Sequence, residues 1–81
     1  MKMNDNYFQS SDLSLVAALM SVGYNVEATD RTNASRTVFL IPRDKHLDET
    51  VQAFLAHTIT VDYLAYFNAL KEAKNRLFND I

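Results

Sequence analysis

The chain has 81 residues, 48% of them hydrophobic, with one Gly, one Pro, no Cys and a formal net charge of −2. That length sets a single domain over 1–81, and a chain so short buries only about 60–65% of its unfolded surface, so its core is thin. The lack of cysteine excludes disulfides and thiolate metal sites, no run of about 18 apolar residues exists to span a membrane, and one Gly and one Pro argue against low complexity.

Residues 1–12 carry one Lys and no apolar run, so they do not read as a signal peptide, and a cytoplasmic protein is expected. Asn6–Gln9, with Tyr7 and Phe8, is a candidate for a short N-terminal strand, and an ordered core is expected over 7–78. Ser10-Ser11-Asp12 reads as a helix N-terminus, because these side chains accept from the free N–H groups of a first turn. LSLVAALMSV then runs to Gly23, a natural residue for a left-handed C′ position, and the helix is expected over 12–22. After Asp12 only Ser14 and Ser21 are polar. A helix apolar nearly all round must be buried on more than one side, as a central helix or a dimer contact.

From Tyr24 the pattern changes to alternation. Tyr24, Val26 and Ala28 face one way and Asn25, Glu27 and Thr29 the other, as in a half-buried strand. Arg31–Ser35 reads as a turn; Asn33-Ala34-Ser35 matches the glycosylation sequon, but without a secretion signal the match is taken as chance. Arg36–Ile41 is a strand apolar on both faces, Val38 and Leu40 on one and Phe39 and Ile41 on the other, and Pro42 ends it. The two strands form an antiparallel hairpin, marginal if alone. Over 46–57, Leu47, Val51, Phe54 and Leu55 recur at helical spacing, with Asp48 and Glu49 in the first turn where the dipole favours them. Thr58-Ile59-Thr60 interrupts, and Thr60 is expected to cap a last helix over 61–78. Leu64, Phe67, Leu70 and Leu77 form its core stripe, widened by Tyr63, Tyr66, Ala73 and Phe78. The fold expected is α+β in the order α-β-β-α-α: an antiparallel hairpin, with the candidate third strand, packed against three helices.

Little in this inventory suits catalysis. One glycine cannot make a Gly-rich phosphate loop. His46 and His57 are eleven residues apart, not the i, i+4 pair of a helical zinc site. Asp44, Asp48 and Glu49 lack the alternating ligands and the glycine of a calcium loop and read as a helix start. Tyr63, Tyr66, Phe67 and Phe78 could stack on bases, but their spacing of three and four is the core-facing period, with the hydroxyls of Tyr63 and Tyr66 able to reach the surface. No enzyme, cofactor or metal is expected.

Charge alternates in blocks, and residues 31–45 hold Arg31, Arg36, Arg43 and Lys45, half of the eight basic residues. Arg31 and Arg36 flank the turn, whereas Arg43 and Lys45 lie at the far end of the strand, roughly 20 Å away if the chain is extended. Glu27, Asp30 and Asp44 lie near them, so solvated strand-end pairs compete with a binding surface. The candidate partner-binding residues are those four bases with Lys71 and Lys74 of the last helix. Another protein is the leading partner; nucleic acid is the alternative, weakened by ten acids opposing eight bases. A helix apolar on most faces also predicts a homodimer, a C2 contact being the commonest way to bury such a surface.

Several marks recur together: Tyr7-Phe8-x-Ser-Ser-Asp-Leu-x-Leu-Val-Ala-Ala-Leu, Gly23-Tyr24, Arg36-Thr-Val-Phe-Leu-Ile, Val51-Gln-Ala-Phe-Leu, and Val61-Asp62-x-x-x-Tyr66-Phe-x-Ala-Leu-Lys71-x-x-Lys-x-x-Leu-Phe78. This pattern, over about residues 7–78, resembles a family of short domains of unknown function found in phage and integrative-element genomes. Val16 stands where that family's first helix carries Ala. The resemblance implies a non-enzymatic, non-essential accessory protein of a mobile element and carries over no catalytic residue; with the small size, the missing catalytic groups and the apolar first helix, it favours an inhibitor or adaptor that binds a host protein.

Overall fold

A helix end leaves backbone N–H or C=O groups open, and the groups that close them fix the boundaries of this fold. The structure is a computed structural model that describes residues 6–31 and 36–79, the last two by backbone alone. In chain order it forms β1 (Tyr7–Ser10), α1 (Leu13–Ser21), β2 (Ala28–Asp30), β3 (Val38–Pro42), α2 (Leu47–Leu55) and α3 (Tyr63–Asn79). This is the expected α+β order, with the N-terminal strand present.

Asp12 starts α1: its Oδ1 accepts from the Ser14 N–H at 3.0 Å and the Ser14 hydroxyl at 2.8 Å. The other end closes as a Schellman motif. The Tyr24 N–H donates to the Leu19 carbonyl at 3.0 Å and the Gly23 N–H to that of Met20 at 3.1 Å, with Gly23 at φ 113°. α2 ends in the same way, through Thr58 N–H to Ala53 O at 2.9 Å and His57 N–H to Phe54 O at 3.1 Å, but here the left-handed residue is His57 at φ 62°. α3 starts at Tyr63 because Asp62, not Thr60, supplies the cap: Asp62 Oδ2 accepts from the Ala65 N–H at 2.9 Å.

β3 is the central strand. β1 pairs with it on one side, Phe8 opposite Ile41, and β2 on the other, Thr29 opposite Phe39, both antiparallel. β1 and β2 therefore run parallel, and α1 joins them as the crossover of a split β-α-β unit with β3 slotted between. That crossing accounts for the composition of α1. Residues 15–19 are buried without a break, with Phe39 and Ile41 of the sheet in the same core and α3 and α2 packed against the helix. Of the two alternatives for an all-apolar helix, α1 is the central one, and its apolar circumference is covered within one chain. Phe39, Leu19, Ile41, Leu47 and Val16 are the largest fully buried side chains, and no polar or charged residue is buried among the described residues.

The second strand is shorter than its alternation suggests. Tyr24 is engaged in closing α1, and the ladder begins only at Ala28, so the alternation slips: Val26 is buried, Ala28 is exposed, and Thr29 is half-buried. The turn and sequon expected within 31–35 lie, after Arg31, outside the described residues.

The larger correction concerns α3. Tyr63, Leu64 and Phe67, expected in the core, are 77%, 61% and 44% exposed, and the buried residues are Ala69 and Ala73. Ala65, Tyr66, Leu70 and Leu77 are half-buried beside them. α3 lies along α1, whose Ala17 and Ala18 are also buried. Alanines at i, i+4 and i+8 let two helices approach closely, and that approach turns the bulkier row outward. The side chain of Phe78, expected in the same stripe, lies outside the described residues. No helix among the described residues is long and apolar enough to cross a membrane.

Candidate functional site

At 100° per residue, Tyr63, Leu64, Phe67, Lys71 and Lys74 fall within an arc of about 100° on the outer side of α3. The Tyr63 and Phe67 rings stack with centroids 6.2 Å apart and planes 17° from parallel. Lys71 Nζ lies 5.5 Å from the Phe67 ring centroid, a cation–π contact worth about 0.5–1 kcal/mol at an exposed site. Tyr63, Phe67 and Lys71 thus form one continuous row whose side chains are held by one another. With Leu64 the row presents apolar surface on the order of 300–400 Å², the range of the largest patch on a typical monomer, which is often functional.

The six basic residues singled out from sequence do not form one patch. Arg31 is turned inward along the surface, its Nη2 donating to the carbonyls of Arg76 and Leu77 at the end of α3. Arg36 is exposed at the start of the β3 segment. Beyond the other end of β3, Arg43 pairs with Asp48 at 3.5 Å and Lys45 is exposed in the turn before α2. Lys71 and Lys74 alone share a surface with aromatic side chains. The aromatic row itself was missed by treating every large apolar residue of α3 as core; the Ala65, Ala69, Ala73 row was the available signal for the buried side.

A groove of about 400 Å³ opens between the end of α1 and α3, lined by Met20, Tyr24, Asn25, Asn68, Glu72 and Arg76 among others. Its hydroxyls are already engaged. Ser21 donates to the Ala18 carbonyl at 2.7 Å, and Tyr24 donates to Asp44 Oδ1 at 2.7 Å. Loss of solvation, then the bond to Asp44, raises the Tyr24 hydroxyl above its ordinary value. The same bond, with N–H donors at the start of α2, lowers the Asp44 carboxyl. Asp12 is lowered by the Ser14 hydroxyl, and Tyr7 is raised by its hydrogen bond to Glu27. These shifts come from caps and cross-links that hold the fold. Among the described residues no three His, Asp or Glu side chains gather into a group fit to hold a metal ion.

No curated protein and no solved structure matches the chain. A family model does, the one described as Domain of unknown function (DUF5659), over residues 5–79. With every element from β1 to α3 inside that match, the chain belongs to the DUF5659 family.

Proposed function

We propose that the protein is a non-catalytic protein-binding module, an inhibitor or adaptor that a phage or other mobile element directs at a host factor. The observation that carries this reading is the outer arc of α3. Two stacked aromatics and a leucine are held in water on a helix whose other side is buried. Aromatic anchors of this kind dominate the energetics of protein interfaces. The mobile-element setting rests on the sequence resemblance, and the non-catalytic reading on an apolar interior and on titratable groups engaged in structural hydrogen bonds.

Lys71 and Lys74 beside aromatic rings favour nucleic acid as the second reading. Two features oppose it. Phe67 is already engaged by Tyr63 at 6.2 Å and by Lys71 at 5.5 Å, contacts with which a stacking base would compete. The remaining bases are dispersed, and Arg31 and Arg43 are bound within the chain.

The test is capture of the tagged protein from host lysate, with and without nuclease, beside a Tyr63→Ser/Phe67→Ser variant matched in melting temperature. A stoichiometric protein that survives nuclease and is absent from the variant supports the proposal. Recovery of nucleic acid alone, lost after nuclease, reverses the ranking.

A further inference from the structure

We infer that the element seated on the outer arc of α3 is an acidic amphipathic helix of another protein, running antiparallel to α3. This rests on the reading of the arc as a protein-docking face. The ionisable side chains on the arc besides Tyr63 are Lys71 and Lys74, and the one acid within α3, Glu72, lies about 100° further round and lines the groove toward α1. Asp62, at the N-terminal edge, is held as the cap on Ala65. The arc is therefore positive in a chain whose formal net charge is −2.

A partner that fits must bring apolar side chains to Tyr63, Leu64 and Phe67 and carboxylates to Lys71 and Lys74, on one face. Tyr63, Phe67 and Lys71 form an i, i+4 ridge, with Leu64 on one side of it and Lys74 on the other, and the ridge of a second helix packs into the groove beside such a row. From Tyr63 to Lys74 the arc is about 16 Å long, three turns of a partner helix. Orientation follows from the same charges. An antiparallel helix sets its N-terminal turn, where its own dipole favours Asp and Glu, beside the two lysines. A second copy packed antiparallel would set Tyr63 and Leu64 beside the two lysines, with no turn of carboxylates to meet them.

The test is fluorescence anisotropy with labelled peptides of about sixteen residues, each carrying the same leucine stripe, with Glu, Gln or Lys at the remaining positions of the first turns, and with oligothymidylate as a fourth probe. The Glu peptide binds about two- to thirtyfold more tightly than the Gln peptide, the range that two exposed ion pairs supply. Salt erodes the advantage, and the Lys71→Glu/Lys74→Glu variant prefers the Lys peptide. Equal binding of all three peptides overturns the inference and leaves the docking reading standing. So does binding of none, if the Tyr63→Ser/Phe67→Ser variant still loses a lysate partner. A dimer in sedimentation that Phe67→Ser abolishes overturns it in favour of a second copy. Tightest binding of oligothymidylate overturns both readings.

Discussion

Arg31 holds the last turn of α3 from the end of the hairpin: its Nη2 donates to the Leu77 carbonyl at 2.9 Å and to that of Arg76 at 2.7 Å. A cation at a helix C-terminus closes carbonyls that have no partner within the helix and complements the dipole. Arg31→Ala is expected to lower stability by about 0.5–1 kcal/mol, and to speed amide exchange around the α3 C-terminus ahead of the core. An unchanged melt and unchanged exchange would show that the contact contributes nothing in solution.

Two helices end in the same motif with different residues at the left-handed position, which makes a paired test. A non-glycine residue there costs about 1–2 kcal/mol of backbone strain, so His57→Gly is expected to stabilise the protein by about 1 kcal/mol. Gly23→Ala is expected to destabilise it by a similar amount. No atom lies within 4 Å of a Cβ placed on Gly23, so that loss is backbone strain rather than a clash. Chemical denaturation of both variants reads the sign, and shifts in the same direction would contradict this account.

α3 is also expected to separate cleanly into two sides. Ala73→Leu, at a fully buried position, should cost about 1–3 kcal/mol by overpacking. Phe67→Ser on the outer arc should cost no more than about 1 kcal/mol, the loss of its contacts with Tyr63 and Lys71. A large loss for Phe67→Ser in thermal unfolding would mean that the ring belongs to the core after all.

The titration shifts give opposite pH limbs. Asp12 and Asp44 are lowered from 3.8 in the folded state, so their contribution is complete above that unfolded value and is lost as pH falls through the lower folded value. Tyr7 and Tyr24 are raised from 10.0, so theirs is complete below 10.0 and lost as pH rises through the higher folded value. Asp12→Ala is expected to cost about 1 kcal/mol at neutral pH through the lost cap, and the gap to the parent protein should close in acid. A gap that stays constant from pH 7 to pH 2 would exclude the carboxylate as its source.

The fold was legible where one residue type has one physical use. Asp12 and Gly23 bound α1, Pro42 ends β3, and the unbroken apolar character of α1 signals burial on more than one side, which the central position supplies. The orientation of α3 was not legible in that way. Its large apolar residues cover too much of the circumference to name a single core face, and burial favoured Ala69 and Ala73 over Leu64 and Phe67 because small side chains admit the close approach of α1. The candidate site shared that difficulty, since it consists of the residues displaced. The basic residues were legible as exposed, but Arg31 is committed to α3 by a contact 45 residues away along the chain, which no local pattern encodes.

α3 bears the outer arc and, with the sheet and α2, also covers residues 15–19. The helix cannot leave the body to be recognised as a loose peptide without baring the core. A partner that grips the arc therefore selects the folded chain and, by mass action, adds about 2.7 kcal/mol to its stability at a hundredfold excess over Kd, a large increment for so small a core. The lifetime of the protein in a cell would then follow the supply of that partner, with the unaccompanied chain the first to be degraded.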